Sequence, residues 1–274
     1  MVWSPILIKI SLLIYAISGG FYIKREFFSD PKSKNHWTAN LLYVGIAIHT
    51  FGLLAMILET GYLPIKNLYE TLVLLSWTII VIYILIEYLY KIKILGAFIL
   101  PFNSLLLLYT NFLPNKVDNL PVGMRGIWLS IHTSVIFISY GVFTLAFCVS
   151  LLYLIQEHQL KEKKTSVFYY RLPPLGKLDR LSYRLVMLGF PLLTIGILTG
   201  ALWSGQILGT YWEWNSKQIW ITLVWLIYAV YLHNRYSDIW RGKKSAYITV
   251  LGFLTILFTY LGLNFITKNS HYFT

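Results

Sequence analysis

The chain has 274 residues, of which 57% are hydrophobic and only 12% are charged, and its mean hydropathy is +0.63. This composition excludes a soluble domain, because several runs exceed the ~18 uncharged residues that indicate a membrane span. The single cysteine, Cys148, excludes an internal disulfide and a cysteine-based zinc site. It also excludes a C-x-x-C-H site for covalent haem attachment within this chain.

Eight apolar runs predict an all-α, polytopic integral membrane protein that forms a single transmembrane domain over residues 1–274. The predicted spans are residues 4–23, 37–58, 68–90, 94–113, 128–155, 182–204, 217–235 and 245–267. The third and fourth spans are the weakest, because polar groups and Pro101 interrupt them, and neighbouring helices must compensate. The first run ends in Lys24 and Arg25 instead of a small-residue cleavage site, which indicates a retained helix.

The distribution of Lys and Arg predicts the orientation of these spans. The connections after spans one, three, five and seven contain sixteen Lys and Arg residues, whereas the other connections and the C-terminal tail contain five. The basic connections are therefore predicted to lie inside and both termini outside. The longest inside connection, residues 156–181, is interpreted as a solvated basic loop. The net charge of +12 is thus a topology signal, which implies membrane lipid as a partner and no nucleic acid.

An aromatic segment, predicted as a loop over residues 205–217, joins spans six and seven on the outer side. Residues 208–220 read L-G-T-Y-W-E-W-N-S-K-Q-I-W. Interfacial belts use one or two aromatic rings per helix end, but Tyr211, Trp212, Trp214 and Trp220 crowd into a single connection. This density predicts an apolar platform for a flat ligand. A dense interfacial belt is the alternative.

Two histidines are predicted to share the outer surface with this segment. His132 lies just inside the outer end of span five, and His271 lies in the outer tail. Neutral imidazoles are the usual axial donors to haem iron, and a porphyrin is a flat apolar ligand. We therefore expect both histidines to bind haem iron, with Lys217 and Arg125 as cations for the haem carboxylates. For either histidine alone, a hydrogen-bonded interfacial residue is the simpler interpretation.

Two further histidines are predicted to lie at membrane depth, where an ionisable group is a functional candidate. His233 lies at the inner end of span seven, and His49 lies twelve residues into span two. Their depths differ by about 15 Å at ~1.5 Å per residue, which is too far to bind one iron. This difference disfavours a simple electron-transfer haem b protein. His36 and His158 lie in or beside basic loops and are interpreted as solvated.

Several segments resemble those of one family. Residues 209–220 resemble the WWD motif, G-x-Y-W-x-W-D-P-K-E-x-W, of haem-handling proteins in cytochrome c maturation. Residues 64–72, P-I-K-N-L-Y-E-T-L, resemble the P-x-x-N-L-Y-E-S-L segment of the CcsA (ResC) proteins. The L-S-Y-R segment at 181–184 and the Y-L-H segment at 231–233 fit the same proteins. The chain is therefore identified as a member of the CcsA family of System II cytochrome c biogenesis.

This resemblance implies that the chain binds or translocates haem and presents it outside to apocytochrome c, as a component of a cytochrome c synthase. Two thiols of a C-x-x-C-H motif would there add to the haem vinyl groups. It implies a CcsB-like membrane partner, non-covalent haem b as a substrate-like cofactor, and a bacterial plasma membrane or a plastid thylakoid membrane. His132 and His271 would be the outer axial ligands, and His233 would serve an inner haem site. A transporter with an aromatic gate and no haem is the remaining alternative.

The chain departs from the WWD motif at three positions. Asn215, Ser216 and Gln218 stand where the motif has Asp, Pro and Glu. Amides keep the hydrogen-bonding shape of carboxylates and lose their charge. A role of the motif carboxylates in the backbone turn or in orienting Lys217 is therefore open.

Overall fold

A computed structural model of the chain describes residues 3–28, 37–114, 127–163, 170–236 and 240–262. Within these ranges the chain forms eight long α-helices: α1 (Trp3–Ile23), α2 (Trp37–Thr60), α3 (Leu68–Tyr90), α4 (Gly96–Thr110), α5 (Ile127–Lys161), α6 (Leu175–Leu208), α7 (Ser216–Tyr236) and α8 (Lys243–Leu257). A π-helical turn extends α1 over Lys24–Phe28, and another extends α8 over Phe258–Gly262. A 3₁₀ turn, Lys93–Leu95, precedes α4. The described residues contain no strand, which confirms the all-α prediction.

Seven helical segments in the described ranges are long and apolar enough to cross a membrane. The prediction of a polytopic membrane protein is therefore confirmed. The remaining predicted span, the seventh (residues 217–235), corresponds to α7, which has 21 residues and is long enough to cross. It is not among the seven, because polar residues at its two ends, Lys217 and Gln218 at one and His233 to Arg235 at the other, lower its mean hydropathy.

Two connections are shorter than predicted, because helices extend beyond the apolar runs. Inside the connection predicted over 156–181, α5 continues to Lys161 and α6 begins at Leu175. An ion pair between Lys161 and Glu157, one helical turn apart with an N–O distance of 2.5 Å, supports this extension. The aromatic connection predicted over 205–217 is reduced to residues 209–215, between α6 and α7.

The helices form two groups, α1–α4 and α5–α8. In the first group α1 packs against both α2 and α4, and in the second α5 packs most extensively against α6 and also against α8. Contacts between α3 and α5 join the groups. We call the end of the bundle that carries residues 209–215 the motif end. The opposite end, which carries Lys91, Lys177 and Lys243, is the basic end.

Three glycines on one face of α6 bring its backbone against α5. An added Cβ would lie within 3.0 Å of an α5 side chain at each of them: Phe143 at Gly189, Ile136 at Gly196 and His132 at Gly200. Small residues allow helices to approach closely in a membrane. The backbone carbonyls exposed in this way accept hydrogen bonds from α5, as in the 2.9 Å bond from Ser139 Oγ to the Gly189 oxygen.

A buried ion pair joins three helices at the basic end. Arg235, in α7, donates to both carboxylate oxygens of Asp179, in α6, at 3.1 and 2.5 Å. Asp179 also accepts a 3.0 Å hydrogen bond from the backbone N–H of Gly242, directly before α8. The Arg235 guanidinium lies over the Tyr183 ring, 5.1 Å from its centroid. These contacts fix the ends of α6, α7 and α8 relative to one another.

Replacing Asp179 by Ala should strongly destabilise the fold, because it leaves the Arg235 charge buried and unpaired. We expect the free energy of unfolding to fall by about 3–5 kcal/mol, measured by denaturant titration of the purified protein in detergent. The control is Glu157→Ala, which removes the partner of the exposed Lys161 and should leave the free energy of unfolding nearly unchanged. Similar losses in the two variants would contradict this role of the buried pair.

Candidate functional site

The aromatic connection, residues 209–215, folds back on the last turn of α6. Gly209 ends this helix with φ at +76°, a left-handed conformation that glycine adopts without a steric penalty. Ser204 Oγ donates a 2.7 Å hydrogen bond to the Thr210 carbonyl. The Tyr211 ring covers Gly205, where an added Cβ would lie 2.5 Å from it. The connection is therefore ordered by backbone contacts as well as by its aromatic rings.

Asn215 and Gln218 begin α7 as a capping pair. Asn215 Oδ1 accepts a 3.0 Å hydrogen bond from the backbone N–H of Gln218. Gln218 Oε1 accepts a 2.9 Å hydrogen bond from the backbone N–H of Glu213. This arrangement is close to a capping box, which satisfies N–H groups that a helix start otherwise leaves unpaired. Amide oxygens are sufficient acceptors here, so the loss of two motif carboxylates leaves the turn intact.

The two central indoles do not form the single flat platform that the sequence suggested. The Trp212 and Trp214 ring centroids are 5.8 Å apart, and the planes meet at 79°, a favoured edge-to-face geometry. Trp214 and Tyr211 remain 71% and 64% exposed. The motif end therefore presents two apolar faces at a right angle. Trp220 lies apart from them and packs on Phe258 with the ring centroids 4.5 Å apart.

His132 is held in one orientation on α6. Its Nδ1 lies 2.6 Å from the Gly196 carbonyl oxygen, and its ring lies against Gly200. Because a carbonyl oxygen only accepts, Nδ1 carries the proton and Nε2 keeps its lone pair. Metal-binding histidines typically have one ring nitrogen anchored in this way. Lys217 lies close enough to His132 for the two side chains to interact electrostatically, so the predicted ligand and cation are brought together.

Trp203 is a site residue that sequence reasoning missed. It lies on the face of α6 that carries Gly196 and Gly200, nearer the motif end. Its Nε1 is buried and has no hydrogen-bond partner among the residues that the structure describes. An unpaired buried N–H is costly, so it indicates a place where a bound molecule can supply an acceptor. The helical spacing of residues 196, 200 and 203 was the one signal that could have identified it.

His233 lies at the opposite end of the bundle from His132. It is exposed in the last turn of α7, two residues from Arg235, which pairs with Asp179 of α6. Along α6, Asp179 and the Gly196 carbonyl that holds His132 are separated by about 25 Å at ~1.5 Å per residue. The two histidines therefore belong to separate positions.

Several predicted residues lie outside the candidate site or outside the described ranges. His49 is fully buried in the α1–α4 group, where its Nδ1 lies 3.2 Å from the Tyr15 hydroxyl. His158 is exposed and lies 3.1 Å from a Glu162 carboxylate oxygen. His271, Arg125 and His36 lie outside the described residues, so the roles predicted for them stay predictions.

Comparison with known proteins places this arrangement in a family. The family described as Cytochrome C assembly protein matches residues 65–271. The chain is 35% identical to "Cytochrome c biogenesis protein CcsA" of Guillardia theta, with 78% of this chain and 77% of the relative covered. It is 33% identical to the CcsA protein of Trieres chinensis, with 95% and 93% covered. It is 34% identical to that of Prochlorococcus marinus (strain MIT 9301), with 77% and 76% covered.

The chain belongs to the CcsA family. It is therefore a membrane component of cytochrome c biogenesis, as the resemblance implied, and the family implies that it handles haem. The matched region begins just before α3 and includes His132, His233, His271 and the aromatic connection. Helices α1 and α2 precede the matched region.

Asn215→Ala should destabilise the start of α7 by about 1 kcal/mol, because it removes the side-chain acceptor of the cap. Asn215→Asp should keep the stability of the native chain, since a carboxylate oxygen accepts the same bond and is favoured at a helix N-terminus. Thermal unfolding in detergent, followed by tryptophan fluorescence, measures both variants. Equal destabilisation by Ala and Asp would contradict the capping role.

Proposed function

We propose that the motif end binds haem b non-covalently, with His132 and His271 as axial ligands, and presents it to apocytochrome c. The anchored His132 ring is the observation that carries this proposal. Its Nδ1 is held by the Gly196 carbonyl at 2.6 Å, which leaves Nε2 as the iron donor. Membership of a cytochrome c assembly family supports haem as the ligand.

The residues of the motif end suit the two parts of a haem molecule. The Tyr211, Trp212 and Trp214 rings offer apolar surface for the porphyrin, and two of these rings are largely exposed. The Lys217 ammonium and the unpaired Trp203 N–H suit the haem carboxylates, because charge-assisted and otherwise unsatisfied donors gain most from an anionic acceptor. Arg125 is proposed as a second cation for these carboxylates.

The chemistry of haem attachment to a cytochrome determines what this chain has to do. Each cysteine thiol of a C-x-x-C-H motif adds across a haem vinyl group, so that sulfur bonds to one vinyl carbon and hydrogen to the other. This addition consumes no oxidant. The chain therefore needs to hold the iron, orient the porphyrin and leave the vinyl edge open to the cysteine thiols.

We further propose that His233 serves a second haem position at the basic end, which faces inside if the basic connections follow the positive-inside rule. Haem would then reach the motif end from the opposite surface. A CcsB-like membrane partner would complete the synthase. The relatives from Guillardia theta and Prochlorococcus marinus support a thylakoid or bacterial plasma membrane.

The alternative of an electron-transfer haem b protein requires histidines at equal depth on neighbouring helices. His49 packs against Tyr15 in the α1–α4 group, whereas His233 is exposed at the end of α7. These two histidines therefore do not form such a pair. A haem-free transporter is the other alternative, and it requires that the purified protein be colourless.

The first test is the absorbance and pyridine haemochrome spectrum of the purified protein, beside its His132→Ala and His271→Ala variants. We expect bis-histidine haem b in the native protein and a loss or spectral change in both variants, because each removes one axial ligand. His158→Ala removes an exposed histidine at the other end of α5 and should leave the spectrum unchanged. A haem-free native protein, also when co-purified with its partner, would overturn the proposal.

A second test moves the His132 ring without removing it. In Gly200→Ala the added Cβ lies 2.7 Å from two ring atoms, so the ring must shift away from the Gly196 carbonyl. We expect haem affinity to fall about tenfold or more, as for other residues that orient a metal ligand. Gly20→Ala is the control, because nothing lies within 4 Å of its added Cβ. Haem titration measures both variants, and equal affinities would contradict the anchoring role of α6.

A further inference from the structure

A group of buried polar side chains lies half-way along the α1–α4 group, away from the motif. We call His49, Ser76, Asn103 and Ser104 the buried polar cluster, and each is at most 8% exposed. Five of their polar atoms have no hydrogen-bond partner among the described residues: His49 Nε2, Ser76 Oγ, Ser104 Oγ, and Asn103 Nδ2 and Oδ1. Buried polar atoms are nearly always paired. The cluster therefore needs both donors and acceptors from elsewhere.

Contacts toward the basic end place Ser76 and Asn103 at one level. Gly96, in α4, lies against the ring of Tyr22, in α1, and the hydroxyl of Tyr83, in α3. Ser76 lies seven residues from Tyr83, and Asn103 lies seven residues from Gly96. Seven residues are nearly two helical turns. Ser76 therefore lies about 10 Å closer to the motif end than Tyr83, on the same face of α3, and Asn103 lies about 10 Å closer than Gly96, on the same face of α4. Both side chains therefore face the interior of the α1–α4 group at equal depth.

His49 approaches the same level from α2. Its Nδ1 lies 3.2 Å from the hydroxyl of Tyr15, which is again seven residues from Tyr22. Its ring also lies near the backbone of Val73, one helical turn from Ser76. The cluster is thus assembled from side chains of α2, α3 and α4, with Tyr15 of α1 closing its fourth side.

A crevice between α1, α3 and α4 lies on the motif-end side of this cluster. Its volume is about 120 Å³, against roughly 30 Å³ for one water molecule. Leu12, Tyr69 and Leu107 line it. Each lies about one turn from a residue at the level of the cluster: Leu12 from Tyr15, Tyr69 from Val73 and Leu107 from Asn103. Three helices therefore place the crevice about one helical turn from the level of the buried polar cluster, on its motif-end side.

Apolar packing closes the route toward the basic end. An added Cβ on Gly19 would lie 3.3 Å from Leu100 Cβ, and Leu100 and Ile80 are fully buried. Below this layer the Tyr22 hydroxyl donates to a Glu87 carboxylate oxygen at 3.1 Å. The Tyr22 hydroxyl and the Glu87 carboxylate thus bond to each other, and the apolar layer separates them from the buried polar cluster.

We propose that the crevice and the buried polar cluster form a water-filled recess that opens at the motif end. Water is the occupant that fits, because the cluster offers neutral donors and acceptors together, and a buried water molecule makes about three hydrogen bonds. A lipid chain in the crevice leaves all five atoms unpaired, which is costly in a membrane. The recess brings solvent to His49 in the middle of the membrane.

Thiol accessibility in lipid nanodiscs tests the recess. In a Cys148→Ala background, which removes the one cysteine of the chain, Ser104→Cys places a thiol in the cluster. The matched control, Leu105→Cys, places a thiol at the same depth on the outer face of α4, where Leu105 is 64% exposed. The probe is Ag⁺, and the remaining thiols are counted by maleimide labelling after denaturation. Thiolates form in water and not in lipid, so the buried thiol should react at least about tenfold faster than the exposed one.

Equally slow reaction of the two thiols would show that the cluster is dry and would overturn the proposal. Leu107→Trp, combined with Ser104→Cys, fills the crevice and should slow the reaction about tenfold if water enters by this route. An unchanged rate in that combination would overturn the route. Ser76→Cys supplies an independent thiol from α3 if the Ser104→Cys variant does not fold, and Leu12→Trp fills the crevice from α1. None of these outcomes depends on haem binding.

Discussion

The close approach of α5 and α6 determines the geometry of the candidate site. Gly196 and Gly200 lack side chains, so the His132 ring can lie directly on α6 and its Nδ1 can reach a backbone carbonyl. The Thr199 hydroxyl shares that carbonyl at 3.0 Å, so the acceptor is itself held. An anchor made of backbone needs no buried carboxylate, which would be expensive near the membrane. The direction of Nε2 therefore depends on the spacing between two helices.

Much of the helical architecture could be predicted from the sequence, because a chain crossing lipid must satisfy its backbone within each helix. The ends of α5 and α6 could not be predicted from hydropathy. Hydropathy falls where the chain leaves the membrane. The helix nevertheless extends further, because ion pairs between side chains one turn apart, such as Lys161 with Glu157, stabilise it in water. His132 was found by its depth and by the aromatic connection nearby. The Gly196 carbonyl that anchors His132 could not be predicted, because the two residues are 64 positions apart in sequence and their contact depends on how the helices pack. Trp203 was missed for the same reason, since an unpaired N–H becomes visible only when its surroundings are known.

The ion pair at the basic end and the buried polar cluster satisfy their polar atoms in different ways. At the basic end, Arg235 and Asp179 satisfy each other and tie α6, α7 and α8 together, so burial of their charges produces a rigid joint. In the α1–α4 group, Asn103 and Ser104 are buried without described partners. Such residues are tolerated in a membrane when they face a polar interior instead of lipid. The buried charges at the basic end therefore satisfy each other, whereas the buried polar cluster depends on the proposed water molecules for its hydrogen bonds.

The substitutions in the WWD motif separate the geometry of the connection from its charge. Asn215 and Gln218 accept the backbone hydrogen bonds that begin α7, so the turn does not need carboxylates. The charge does change, because Asp and Glu at these positions would add two negative charges beside Lys217. Without them, the charged residues between 209 and 218 are Glu213 and Lys217, and the Glu213 carboxylate accepts a 2.8 Å hydrogen bond from the Thr210 hydroxyl. An anionic group therefore meets less repulsion here than at a motif with both acids, and screening by salt confines this difference to distances of about 10 Å. The departures from the motif thus favour an anionic ligand at the connection while preserving its fold.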